Sequence, residues 1–104
     1  MRLDRIDRDE EILVNIINCE DEPDLNDTSL ACRTVDVSEH GLQMSISMSI
    51  PVNTVVGLRL NLPKRLYRLE GEVRWVREDG HVGLLLNDDS PDFKAWMEQF
   101  QLDF

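Results

Sequence analysis

An all-β domain with one C-terminal helix, its six or so short antiparallel strands arranged as a small barrel or sandwich, is the fold that this sequence predicts. Three observations carry the prediction. Apolar and polar residues alternate strictly through several stretches, which is the period of a strand with one face buried. Turn-forming residues punctuate those stretches at short, regular spacing, as in a barrel or sandwich. An apolar stripe of helical period occurs at the C-terminal end. The 104 residues suffice for one domain with one modest core.

The elements follow in chain order. Residues 1–11 are mostly charged (Arg2, Asp4, Arg5, Asp7, Arg8, Asp9, Glu10 and Glu11), with Leu3 and Ile6 among them. Such a segment has little to bury and is read as a mobile arm ahead of a domain over 12–104. Residues 12–17 are a β-branched run and form the first strand. Residues 18–28 are acidic, carry Pro23, Asn26 and Asp27, and form an exposed loop. Residues 29–37 are the second strand. Residues 42–50 show the clearest alternation: Leu42, Met44, Ile46, Met48 and Ile50 against Gln43, Ser45, Ser47 and Ser49. A strand over all nine residues is expected, ended by Pro51 and Asn53.

Residues 56–62 alternate again, and Pro63-Lys64-Arg65 is a turn. Residues 67–76 put Tyr67, Leu69, Val73 and Trp75 inward, with Gly71 at an inward position where a bend or bulge is expected. Glu78-Asp79-Gly80 is a hairpin signal before a last strand over 81–86. Ser90-Pro91-Asp92 opens a helix over 90–102, with Ser90 as N-cap and Pro91 at the first helical position. Phe93, Trp96, Met97 and Phe100 make its apolar stripe, which covers the mouth or side of the barrel. That spacing assigns Trp96 and Phe100 to the core, and strand alternation does the same for Trp75.

Charge and composition exclude several functions. Twenty-one acidic residues against 11 basic ones leave a formal charge of −10. A nucleic-acid backbone calls for a basic face, and an anionic membrane surface does too. No apolar run approaches a membrane span and no signal peptide leads the chain, so a cytoplasmic protein is expected. Cys19 and Cys32 lack C-x-x-C spacing and are read as reduced, partly buried thiols. His40 and His81 have no ligand spacing to each other, so no metal site is expected. The acids of 20–27 lack the spacing of a calcium loop.

The stretch Asp36-Val37-Ser38-Glu39-His40-Gly41 joins two strands at a tight corner. A carboxylate there accepts two parallel N–H bonds from a planar donor edge such as that of guanine. Asp and Ser in turns also bond their own backbone, and Gly supplies a positive φ, so the same residues serve a purely structural corner. Ser38 and His40 beside Asp36 suggest a hydrolase, but residues two apart in one turn rarely make a nucleophile–base pair. No catalytic residue is expected. Arg33 is read as an outward strand residue and His81 as a surface one.

The pattern D-x-S-x-x-G followed by an apolar strand resembles the signature of the PilZ family. Gly71-Glu72-Val73-Arg74-Trp75 and then Val82-Gly83-Leu84 ahead of the helix fall in the family's order. The resemblance covers nearly the whole chain from Ile12 onward. It implies a small antiparallel barrel with a helix near its end that binds the bacterial messenger cyclic di-GMP. In that family the turn and an R-x-x-x-R motif on an arm before the first strand hold the ligand. Carried onto this sequence, the resemblance implies Asp36, Ser38 and Gly41 at the turn, with Arg5 and Arg8 from the arm. Arginine forks suit phosphate oxygens and the O6/N7 edge of guanine. The arm departs from the pattern: Arg2, Arg5 and Arg8 stand three apart, and Asp4 lies four before Arg8. The implied function is a cyclic di-GMP-binding regulatory module that signals through a protein partner, with no other cofactor. The alternative is a PilZ-fold adaptor, related to type IV pili or motility, that has lost the nucleotide.

Overall fold

A computed structural model describes residues 6–7, 10–38, 40–62 and 65–101. They form strands β1 (Ile6–Asp7), β2 (Glu11–Asn18), β3 (Ser29–Val37), β4 (Gly41–Ser45), β5 (Val55–Asn61), β6 (Leu66–Val76) and β7 (His81–Leu86), then helix α1 (Phe93–Gln101). Antiparallel pairing runs β3–β2–β5–β6–β7–β4, and β4 returns to β3. Six strands thus close the expected barrel, which leaves the ring without an edge. The short β1 continues the line of β2 along the same edge of β3, with Ile6 opposite Val37 and Asp7 opposite Asp36.

Alternation builds the core. Ile12, Val14 and Ile16 of β2, Val56, Leu58 and Leu60 of β5, and Val82, Leu84 and Leu86 of β7 all point inward and are buried. Trp96 of α1 joins the same cluster at 0% exposure. Its ring meets Tyr67 edge-on, 5.6 Å between centroids at 83°, a favoured aromatic geometry. The helix therefore seals the barrel through one large side chain, with Phe93 packed against the core beside it.

Four local expectations are corrected. The alternating run 42–50 is a strand only to Ser45. Ser45 pairs with His81, the first residue of β7. Beyond it, Ile46 N–H bonds the carbonyl of turn residue Gly80. Ile46 and Ile50 remain buried while Ser47 and Ser49 are exposed, so the alternation outlasts the ladder. The charged segment 1–11 is not wholly an arm, because Ile6–Asp7 pairs with β3 and β2 begins at Glu11. The helix begins at Phe93, not Ser90. The Ser90 hydroxyl instead accepts from Glu70 N–H and donates toward Asn87 and Glu70 carbonyls, pinning the helix entry to β6. Finally, the bulge expected at Gly71 lies between Val73 and Trp75.

Cys19 and Cys32 are free, buried thiols. Burial pushes the Cys32 thiol up from 9.0 to about 11, because the low-dielectric interior disfavours the thiolate. The fold thus favours the neutral thiol. This contribution is intact below pH 9.0 and is lost as pH rises toward about 11. A Cys32→Val variant is expected to show a shallower alkaline loss of stability, read as the urea midpoint between pH 8 and pH 11.

Candidate functional site

The corner between β3 and β4 is braced from three directions. Ser38 closes it locally: its N–H bonds the Gly41 carbonyl at 2.8 Å, its hydroxyl donates to the same oxygen at 3.1 Å, and Gly41 N–H donates back to that hydroxyl at 3.2 Å. From β7, Leu86 N–H bonds the His40 carbonyl at 2.7 Å. From α1, the indole N–H of Trp96 donates to the Ser38 carbonyl at 3.0 Å. A buried indole N–H needs a partner, and here it takes one from the corner's own backbone.

These bonds redistribute the roles expected of the corner. The Ser38 hydroxyl donates to Gly41 rather than to His40, so the hydrolase arrangement does not form. Gly41 does not take the positive φ expected of it. It is needed for closeness, since a Cβ there would lie 2.5 Å from the Leu84 carbonyl oxygen. Arg33 is exposed and pairs with Ser45. It borders a different groove, with Glu11 and Ser47. Arg5 and Arg8 lie outside the described residues, on either side of Ile6–Asp7.

The outward wall beside the corner shows what sequence reading missed. Asp36 on β3 pairs with Gln43 on β4, Gln43 with Gly83 on β7, and Gly83 with Trp75 on β6. The four residues form one cross-strand row spanning three inter-strand gaps, roughly 14 Å at about 4.8 Å each. Trp75 is in this row because of the bulge. Val73 faces inward opposite Leu84, Arg74 is the extra residue, and Trp75 then pairs with Gly83 on the outside. The core position expected for Trp75 is therefore corrected. Its ring lies across Gly83 so closely that a Cβ there would sit 2.1 Å from Trp75 Cε2. Arg77 places its guanidinium 4.6 Å from the centroid of the same ring. Arg74 pairs with Glu72 at 3.1 Å, and both are solvated.

Asp36, Gln43 and Trp75 line one shallow groove with Ser38, His40 and Leu85, about 250 Å³ in volume. That is below the roughly 300–1,000 Å³ of pockets that enclose a drug-sized ligand. It suits a single flat ring system, with hydrogen-bonding groups at Asp36 and Gln43 and an aromatic face at Trp75. Among the described residues, no group of three or more His, Cys, Asp or Glu is arranged to hold a metal ion. No helix among them is long and apolar enough to cross a membrane.

The described residues thus make a closed small barrel, plugged by one helix and carrying a polar and aromatic row on its outer wall. The chain belongs to the PilZ domain family, whose sequence profile matches residues 6–101. Its fold is similar to that of the PilZ domain of CeSA from a cellulose-synthesizing bacterium. The TM-score is 0.70 at 17% identity, over 96% of this chain and 98% of that one. It is also similar to the Bacillus subtilis inhibitor of motility MotI/DgrA, with a TM-score of 0.69 at 16% identity. That match covers 96% of this chain and 50% of the other, so this chain spans half its length. None of the curated proteins compared matches the sequence.

Two substitutions test this geometry. Trp96→Phe keeps most of the apolar contact but deprives Ser38 of its indole donor, and is expected to cost about 1–3 kcal/mol in urea unfolding. Gly83→Ala forces the Trp75 ring off its seat while the barrel still folds. Its expected signature is red-shifted Trp75 emission, measured in a Trp96→Phe background, with a stability loss of about 1–3 kcal/mol.

Proposed function

We propose that this PilZ domain is a regulatory module that binds cyclic di-GMP and signals through a protein partner. The observation that carries the reading is the outward row Asp36, Gln43, Gly83 and Trp75. Trp75 offers a face on which a guanine can stack. Asp36 offers an acceptor for the guanine N–H edge, and Gln43 stands between them with both donor and acceptor. Base–aromatic stacking contributes about 1–3 kcal/mol per base.

The groove is too small for a whole dinucleotide, so a second element must hold the phosphates and the other base. The arm is the natural candidate. Its residues Ile6–Asp7 are paired to β3 with Asp7 opposite Asp36, and Arg5 and Arg8 are their covalent neighbours. The spacing of those arginines differs from the family motif, and the support for the arm is that Ile6–Asp7 lies beside Val37 and Asp36. Signalling then follows from a changed contact between arm and wall, a population shift driven by differential affinity.

A second reading, an adaptor without nucleotide, draws support from one specific contact. The outer face of Trp75 is already covered by Arg77, so a stacking base has to displace that guanidinium or take it as a lid.

Calorimetric titration with cyclic di-GMP at moderate salt separates the two. The module reading expects measurable binding, weakened about tenfold or more by Trp75→Ala. It also expects a loss on Arg5→Ala/Arg8→Ala, together with a smaller salt dependence. Absence of heat up to high micromolar nucleotide would sink this reading in favour of the adaptor. Binding unchanged in Trp75→Ala would remove the stacking platform from it.

A further inference from the structure

A second wall of the barrel carries a feature the corner does not use. On the outer face of β5 and β6, Arg59 pairs directly with Arg68. Like charges opposite each other on neighbouring strands destabilise a sheet. Arg59 has no hydrogen bond or ion pair among the described residues. Arg68 has a distant one, with Nε 3.8 Å from Asp92. That carboxylate is engaged more closely by Arg65 at 3.0 Å and by the Arg68 backbone N–H at 2.7 Å. In a chain with 21 acidic residues, two adjacent arginines without a close acid of their own stand out.

The same wall is concave. Arg59 and Arg68 border a groove of about 470 Å³ that also includes Leu13 and Gly57, larger than the groove at the corner. Leu13 is 50% exposed and pairs with Arg59 across β2 and β5. Gly57, lacking a side chain, deepens the floor next to it. Glu70 stands in the next row of the same face, opposite Gly57 and two residues from Arg68, so the wall carries its arginines in one cross-strand row and an acid in the next. An apolar floor beside two facing arginines, of which Arg68 has only the 3.8 Å pair with Asp92, gives the wall a polarity that selects its occupant.

We propose that this β2–β5–β6 wall is a docking surface for an extended acidic segment of a partner protein. Two acidic side chains would meet Arg59 and Arg68, and one apolar side chain would cover Leu13 and the Gly57 floor. Docking would proceed through side chains, because the closed ring offers no strand edge for β-addition. The partner's acids would relieve the Arg59–Arg68 repulsion, so part of the affinity comes from a strain present in the free protein. This proposal does not depend on nucleotide binding and is tested without it.

Fluorescence anisotropy of a fluorescein-labelled Glu-Glu-Leu-Glu-Glu peptide, at low and moderate salt, supplies the test. The wild-type protein is expected to bind it with an affinity that falls as salt rises. The Arg59→Ala/Arg68→Ala variant should lose at least tenfold, Leu13→Ser should lose a few-fold, and the Lys-Lys-Leu-Lys-Lys peptide should not bind. The double variant should melt at the wild-type temperature or above, because a repulsion has been removed. Equal binding by the double variant overturns the proposal, and so does a binding loss accompanied by a clear fall in melting temperature. Complete displacement of the peptide by low-millimolar inorganic phosphate would make this a small-anion site instead. Self-association by sedimentation that the double variant abolishes would make the occupant a second copy of this chain. Either result overturns it.

Discussion

The bond from the Trp96 indole to the Ser38 carbonyl is the constraint on which the corner depends. Trp96 is fully buried, and an indole N–H cannot be left without an acceptor in a dry core. The helix can seal the barrel with that ring only if an acceptor stands at the right place, and the β3–β4 turn supplies it. One bond therefore couples the plug of the barrel to the shape of the corner. The local closure of Ser38 on Gly41 and the hold of Leu86 on His40 then leave the turn's backbone and hydroxyl engaged. Asp36 takes its place in the cross-strand row of the outward wall, opposite Gln43.

The second determinant is the one-residue bulge at Arg74. Before it, odd-numbered residues of β6 face the core; after it, Trp75 faces outward. A shift of one residue exchanges the two faces of a strand, and here it moves one large aromatic ring from core to surface. Gly83 makes the new position possible, because the ring occupies the volume that a side chain would need. The aromatic half of the candidate site is thus made by an irregularity in one strand and an absence in its neighbour. Around the other side of the barrel, regular pairing sets Arg59 against Arg68.

Much of the fold was legible because strand alternation reports burial directly. Residues 29–37 and 81–86 were bounded by their turn residues alone, as β3 and β7 are. The run 42–50 shows the limit of the same signal: the burial of Ile46 and Ile50 keeps the period of two, while pairing stops at Ser45, opposite the first residue of β7. Alternation reads which side faces the core, not whether a neighbour is present. The corner was legible as a motif, but the division of labour within it was not. Nothing local distinguishes a serine that meets a ligand from one that closes its own turn.

By itself, then, the sequence determined the class of the domain, the order of its strands along the chain and the place of its corner, because these follow from local period and turn chemistry. Tertiary structure alone decided that Trp75 faces outward, that Trp96 braces Ser38, that Ile6–Asp7 lies beside Asp36, and that Arg59 meets Arg68. Each depends on which strands become neighbours and in what register. Register is set by the summed packing of a closed barrel, where a bulge in one strand is accommodated by a glycine in the next.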